Sequence, residues 1–329
     1  MAKIDTIVVG ASAGGVEALN RLVSPLPADL PAALFVVLHF PESSVSVLPT
    51  ILSRSGPLPA HHAVDGETPE NGTIYVAPPG RHMLLHNGVI RLVLGPKENS
   101  NRPAIDPLFR TAARSNRNRV VGILLSGLLD DGSLGQMAIQ RHGGRTLCQD
   151  PAEAAFGDMP RNAIEYGSID TVLPLDALAE EIVRLAGQPV EDVPGEEMPD
   201  PTEMTLRELH NLEERGEPSI FVCPECKGTL FQLEEEGVTH YRCHVGHSYL
   251  SESLSAEQET ELEAALWTAL RALKEHNELL KRMARRAEGQ GFDLTAQGYR
   301  KKMEDGAHQI ELLRHVLGLA RREVGESAA

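Results

Sequence analysis

The chain has 329 residues, 41% of them apolar and only 4% aromatic, with a formal net charge of −16. That length exceeds one ordinary core, so two or more folded units are expected. The negative charge argues against nucleic acid or anionic lipid as the main partner, and no apolar run approaches the roughly 20 residues that span a bilayer.

The N-terminal "MAKIDTIVVG" runs straight into a strand pattern, without the basic region, apolar stretch and cleavage site of a secretory signal. A cytoplasmic protein is expected. From there to residue 188, short apolar runs alternate with helical patterns. Strands are predicted at "TIVVGA", "ALFVVLHF", "TIYVAP", "VVGILLSG", "RTLCQ" and "DTVLP", and "HMLLHNGVIRLV" reads as a tight hairpin about Asn87-Gly88. Helices are predicted at "VEALNRLVSPL", "DPLFRTAARS", "LGQMAIQRHG", "MPRNAIEYG" and "ALAEEIVRLAGQ". Near-continuous apolar strands separated by helices predict an α/β fold, doubly wound, with a mostly parallel sheet and helices on both faces.

Residues 189–219, around "EDVPGEEMPDPTE", are acidic, proline-rich and poor in large apolar side chains, which predicts a linker with a short helix. Residues 220–254 form a Cys/His segment. Residues 255–329 carry helical stripes (Leu262, Leu266, Ala269, Leu273, Leu280, then Met303, Ile310, Leu313, Leu317) broken at "EGQGFDLT", which predicts a helical hairpin.

The first turn, "VVGASAGGVEAL", fits two glycine-rich loops. A dinucleotide loop wants glycine where Ser12 stands, and an acidic residue ending the next strand where His39 stands. No Gly-Lys-Ser or Gly-Lys-Thr follows, so a Walker loop is excluded. Gly10-Ala11-Ser12-Ala13-Gly14 instead fits G-x-S-x-G, a strand-to-helix turn with small neighbours around a protruding hydroxyl. A serine needs a base, and the base needs an orienting carboxylate. His39 follows one core strand and Asp130-Asp131 another, all on the edge where parallel sheets assemble sites. The sequence does not say which of the two adjacent carboxylates faces the histidine.

In order, "VVGASAGGVEAL", "VVLHF", "YVAPPGRHMLL", "NRPAIDPLFRTAA", "VVGILLSGLLDDGSLG" and "FGDMPRNAI" resemble the catalytic domain of the CheB chemotaxis methylesterase family over residues 4–185. The resemblance implies a serine hydrolase of glutamate methyl esters on chemoreceptors, often also a glutamine deamidase, that needs no cofactor for catalysis. It implies Ser12 as nucleophile, His39 as base and Asp131 as the orienting acid, with backbone N–H groups near Ala13 and Leu128 for the oxyanion. Arg81, Arg102 and Met159 are candidates for the substrate groove; His82 and Asp106 lie in the same matched stretches. Leu129 stands where the family has glycine, which would bend the loop differently if that position needs a positive φ. The family also usually has an N-terminal receiver domain, and this sequence starts at the catalytic strand, so either constitutive activity or control through the C-terminal zones is expected.

Cys223-x-x-Cys226, then Cys243 and His247 after a predicted hairpin, have the outline of a zinc ribbon, with His244 as the alternative fourth ligand. Four filled positions would make a structural Zn2+ site, and so small a segment needs such a staple. The fourth cysteine, Cys148, falls in an apolar strand and is expected to be an inert core thiol. Expected partners are methylated chemoreceptor cytoplasmic helices or other signalling proteins, without nucleic acid or membrane insertion. The competing class is a non-catalytic CheB-like scaffold in a signalling complex. The sequence does not name the receptor or the oligomeric state.

Overall fold

The computed structural model describes residues 1–200 except Ser43 and Ser168, and residues 212–318 except Glu236. The middle of the expected linker, 201–211, and the last residues, 319–329, lie outside the described residues.

The first elements are β1 (Ala2–Lys3), β2 (Thr6–Ala11), α1 (Gly15–Val23), β3 (Ala33–Leu38), α2 (Leu48–Ser55), β4 (Ala60–His62) and β5 (Ile74–Val76). Next come β6 (His82–His86), β7 (Val89–Val93), α3 (Ile105–Asn116), β8 (Val120–Leu124), α4 (Ser133–Arg141) and β9 (Arg145–Gln149). Then follow α5 (Asp158–Glu165), β10 (Thr171–Leu173), α6 (Leu175–Leu185), β11 (Pro189–Val190) and α7 (Leu212–Arg215). The last are β12 (Glu217–Val222), β13 (Thr229–Glu235), β14 (Val238–Cys243), β15 (Ser248–Leu250), α8 (Ser251–Gly289) and α9 (Asp293–Val316).

Seven strands form a parallel sheet in the order β10-β9-β8-β2-β3-β5-β4. Every residue of β2 and β3 is buried, and alternate side chains enter opposite cores. Ile7, Val9, Leu34 and Val36 meet α1 and α6 residues such as Leu19, Leu22, Leu178 and Ile182. Val8, Phe35 and Val37 meet Leu108, Phe109 and Ala112 of α3. The α/β architecture with a mostly parallel sheet is therefore as expected. The chain runs outward from β2 in one direction through β3, and in the other through β8. The loops after β8, β2 and β3 thus lie side by side although they are far apart in sequence.

Several features differ from the expectation. The Asn87-Gly88 hairpin forms with both residues at positive φ, but β6 and β7 make a separate two-stranded sheet. Short α2 and β4 were not anticipated, because "LPTILSRS" and "AHH" are too brief for periodicity to show. The acidic stretch after β11 is not simply solvated. Met198 is buried, its N–H donates to Asn87 Oδ1, the Asn87 amide donates to Met198 O, and Glu196 pairs with Arg114 at 3.0 Å.

Strands β12-β13-β14-β15 form an antiparallel sheet that packs within the same compact unit as the large sheet, Met1–Leu254. A second unit, Ser255–Ala329, contains most of α8 and all of α9. There, Leu270, Leu280, Ala284, Ala287, Ala296 and Ile310 are buried, and Gly306 sits against the Asn277 amide. On α8, Leu280, Ala284 and Ala287 step by four and three, with Leu270 ten residues before them, a narrow helix–helix seam. Of the stripe read from sequence on α8, Leu280 joins that seam, whereas Leu262 is exposed. Among the described residues no helix is long and apolar enough to cross a membrane.

Candidate active site

Strand β2 ends in a turn built from small residues. Gly14 has φ +71, and a Cβ there would come within 2.8 Å of Ser126 Oγ and 2.9 Å of Ala155 Cβ, so the turn closes only around glycine. Ser126 Oγ donates to Ala13 O at 2.7 Å, and the Ser12 N–H donates to Ser126 O at 3.0 Å, which tie this turn to the loop after β8. Ser12 emerges at the carboxyl edge of the sheet just before the N-terminus of α1.

Ser12 Oγ lies 3.1 Å from His39 Nδ1, and His39 Nε2 lies 2.8 Å from Asp131 Oδ2. The adjacent strands β8, β2 and β3 bring these three residues into one hydrogen-bonded line. Asp131 faces His39, and Asp130 turns the other way, toward Glu252 and Ser253. Asp131 Oδ2 also accepts from the Ile105 N–H at 2.7 Å, and Oδ1 from the Asp106 N–H at 3.2 Å and the Asn99 amide at 3.1 Å. Asp131 thus sits at the N-terminus of α3, not of the helix that follows it in sequence, where orphan N–H groups favour its charge. Burial alone would raise its pKa, but these donors, His39 foremost, hold it below the ordinary carboxylate range. Buried Asp106, by contrast, is raised well above that range by its burial and by the charge of Asp131. Asp130 is pushed up to about 6 by burial, against hydrogen bonds from Ser253 and Glu252.

The other candidates fall in varied places. Among the described residues, neither the Ala13 nor the Leu128 N–H has an acceptor, and Leu128 is 44% exposed beside the turn. Leu129 does adopt a positive φ of +63, and the Asn162 amide donates to its carbonyl at 2.7 Å. The loop therefore keeps the path that glycine would take, with a leucine held in a strained conformation. Met159 is fully buried, its Sδ and Cε packed under Gly127, so it supports the floor of the site and does not line a groove. Arg102 donates to Gly95 O at 2.8 Å and pairs with Glu42 at 3.2 Å. Arg81 is exposed, and its charge acts on Asp65. His82 is buried between Pro96 O and the Ala104 N–H. Cys148 is buried, and its thiol is pushed up to about 12 by burial.

Asn99 went unnoticed in the sequence, and Asp130 was singled out there without its partners. Asn99, at φ +47, reaches Asp131, Asp106 and the Leu250 N–H. Asp130 accepts from the Ser253 hydroxyl and from the Glu252 N–H at 3.0 Å. Nothing in local pattern links either to residues more than a hundred positions away.

The ligand atoms of Cys223, Cys226, Cys243 and His247 all lie within 4.8 Å of one another. Three separations are 3.6 Å (Cys223 Sγ to His247 Nδ1), 3.5 Å (Cys243 Sγ to His247 Nδ1) and 3.6 Å (Cys226 Sγ to Cys243 Sγ). A tetrahedron with Zn–S bonds near 2.3 Å has edges of about 3.7 Å, so the donor set fits a zinc ion. Both knuckles turn through positive φ, at Lys227 (+61) and Gly246 (+104). His244 instead packs edge-on against Phe231, with ring centroids 4.7 Å apart.

This strand-turn serine, aligned with a histidine and a buried aspartate on the carboxyl edge of a parallel sheet, has the arrangement of a serine hydrolase. Residues 7–182 match the family model described as CheB methylesterase, so the chain belongs to the CheB methylesterase family. A protein-glutamate methylesterase/protein-glutamine glutaminase of Anaeromyxobacter dehalogenans is 38% identical over 189 residues, covering 56% of this chain and 53% of the relative. One from Methanosarcina acetivorans is 36% identical over 189 residues, covering 55% of this chain and 53% of the relative. The chain thus spans about half the length of the curated relatives it matches. The crystal structure of the Thermotoga maritima CheB methylesterase catalytic domain aligns with a TM-score of 0.54 at 29% identity, covering 56% of this chain and all of that one.

Proposed function

We propose that this protein is a serine hydrolase that demethylates glutamate methyl esters, and deamidates glutamines, on chemoreceptor-like signalling proteins. The observation that carries this reading is the continuous hydrogen-bonded line Ser12–His39–Asp131. His39 Nδ1 accepts the Ser12 proton as Oγ attacks the ester carbonyl carbon. Asp131 receives the Nε2–H, fixes the ring tautomer and stabilises the imidazolium. The N–H groups of Ala13 and Leu128, with the N-terminus of α1 behind them, meet the developing oxyanion. The imidazolium returns its proton to the departing methoxide, which leaves as methanol. Water, deprotonated by His39, then cleaves the glutamyl–Ser12 ester; with a glutamine substrate the first leaving group is ammonia.

The residue set needs no catalytic metal or cofactor. Cys223, Cys226, Cys243 and His247 would hold a structural Zn2+, which would lock the two knuckles and supply no chemistry to the ester. Residues 1–188 form the catalytic part, 189–219 the connection, 220–254 the zinc unit and 255–329 the helical hairpin, and the protein works in the cytoplasm. A fluorophosphonate probe tests the assignment. Labelling that maps to Ser12 and is lost in Ser12→Ala supports it, whereas labelling elsewhere, or none, favours the non-catalytic scaffold.

A further inference from the structure

The Cys/His sheet does more than sit beside the large sheet. Its last strand, β15, begins at the residue after His247 and runs along the loop that carries Asn99. The Asn99 N–H donates to Ser248 O at 2.7 Å, and Asn99 Oδ1 accepts from the Leu250 N–H at 3.0 Å. With its carbonyl end so engaged, the Asn99 amide has only its Nδ2 hydrogens to give. They go to Asp131 Oδ1 at 3.1 Å and Asp106 Oδ2 at 3.2 Å. Two residues further on, Glu252 and Ser253 at the start of α8 donate to the Asp130 carboxylate. Leu250 packs with Leu134 and Met137 of α4, and Lys97 pairs with Glu225 at 2.7 Å. The segment after His247 therefore grips both members of the Asp130-Asp131 pair, one through Asn99 and one directly.

Resting on the hydrolase reading above, we infer that the metal-bound Cys/His unit is a clamp that aims the Asp131 carboxylate at His39, with Asn99 and Asp130 as positioning residues. The apolar cluster around the ligands is small, Cys223, Leu230, Cys243, Tyr249 and Leu254 with Phe221 and Tyr241 against it, and the unit's other apolar side chains are split between two further small clusters. Without the ion, the 243–247 knuckle from which β15 springs keeps its two backbone hydrogen bonds but loses the tie between the Cys243 and His247 side chains and the 223–226 knuckle. Losing β15 frees the Asn99 side chain and leaves Asp130 and Asp131 held by the large sheet alone. The ion thereby sets the rate of a reaction whose atoms it never touches. Misplacing an orienting group by a fraction of an ångström is enough to slow turnover.

The test uses the full chain, first loaded with Zn2+, then stripped with a strong chelator, then given Zn2+ again. Two readouts are followed: the low-field proton resonance of the His39–Asp131 hydrogen bond, and the pH profile of kcat/KM on a small activated ester. The clamp predicts that stripping removes the resonance and lowers kcat 10- to 100-fold with little change in KM, and that Zn2+ restores both. Asn99→Ala should reproduce the stripped state while retaining its metal, and stripping that variant should add little further loss, since both act through one link. Ser253→Ala, which leaves the core and the ligands intact, should give a smaller drop of the same kind. An unchanged resonance and an unchanged profile in metal-free protein, or in Asn99→Ala, would overturn the clamp. Should the resonance follow the metal while no ester is turned over, the clamp stands and the hydrolase reading fails.

Discussion

The large parallel sheet and the small Cys/His sheet sit in one compact unit but are held by different forces. Strands β2 and β3 are buried along their whole length and feed two apolar clusters, one on each face. The Cys/His sheet feeds three small clusters, and in the one around the ligands two of the five buried members are the cysteines themselves. Apolar burial contributes about 25 cal/mol per Å2, so the first is stable by area, whereas the second depends on its ligands. Chemistry follows the same division. The large sheet sets Ser12 and His39 on rigid strand ends, and the small one secures the neighbours of Asp131.

The largest expected effect breaks the two apart. Metal removal should cost the Cys/His sheet on the order of 10 kcal/mol of ordering free energy. Hydrogen exchange should then show fast amides in 217–250, while those of β2 and β3 stay protected; equal loss of protection in both would contradict the division. Next come the two buried carboxylates. Asp131 is held ionised and Asp106 is raised well above the ordinary range. Asp131→Asn should therefore lower kcat by about 10^4-fold, the scale seen when such an aspartate is neutralised elsewhere. Asp106→Asn, which keeps the shape of a carboxyl whose pKa burial and the Asp131 charge raise, should stay within about 10-fold; a steady-state ester assay separates them.

A smaller effect concerns pH. The Asp130 carboxyl stands at about 6 in the fold against 3.8 ordinarily. Between these values the folded chain keeps the extra proton, so stability falls as pH rises from about 4 to 6 and levels off above. Thermal unfolding of Asp130→Asn at pH 4.5 and pH 7 should show that part of the slope removed. The smallest effect is at Leu129. Relieving a leucine at φ +63 should make Leu129→Gly more stable by about 1 kcal/mol, measured by urea unfolding.

What the sequence disclosed follows the range of the signal. The turn at Gly10–Gly14 and the strands of the sheet are local patterns, and each has its expected chain path. Leu129 was legible too, because a leucine replacing glycine raises the question of φ. Asn99 was not, since its partners Asp131 and Leu250 depend on how three distant loops pack. The burial of Met159 was hidden for the same reason: the turn that covers it is not its neighbour in sequence. On α8 the stripe read from sequence steps by four, three, four and seven; it meets the buried row at Leu280, whereas Leu262 is exposed.

Ser12 is the residue whose loss should abolish the reaction. Methanol release from a methylated chemoreceptor preparation should be catalysed by the full chain and fall to background in Ser12→Ala with the fold and metal content unchanged. Release that persists undiminished in Ser12→Ala would contradict the assignment of this turn as the nucleophile.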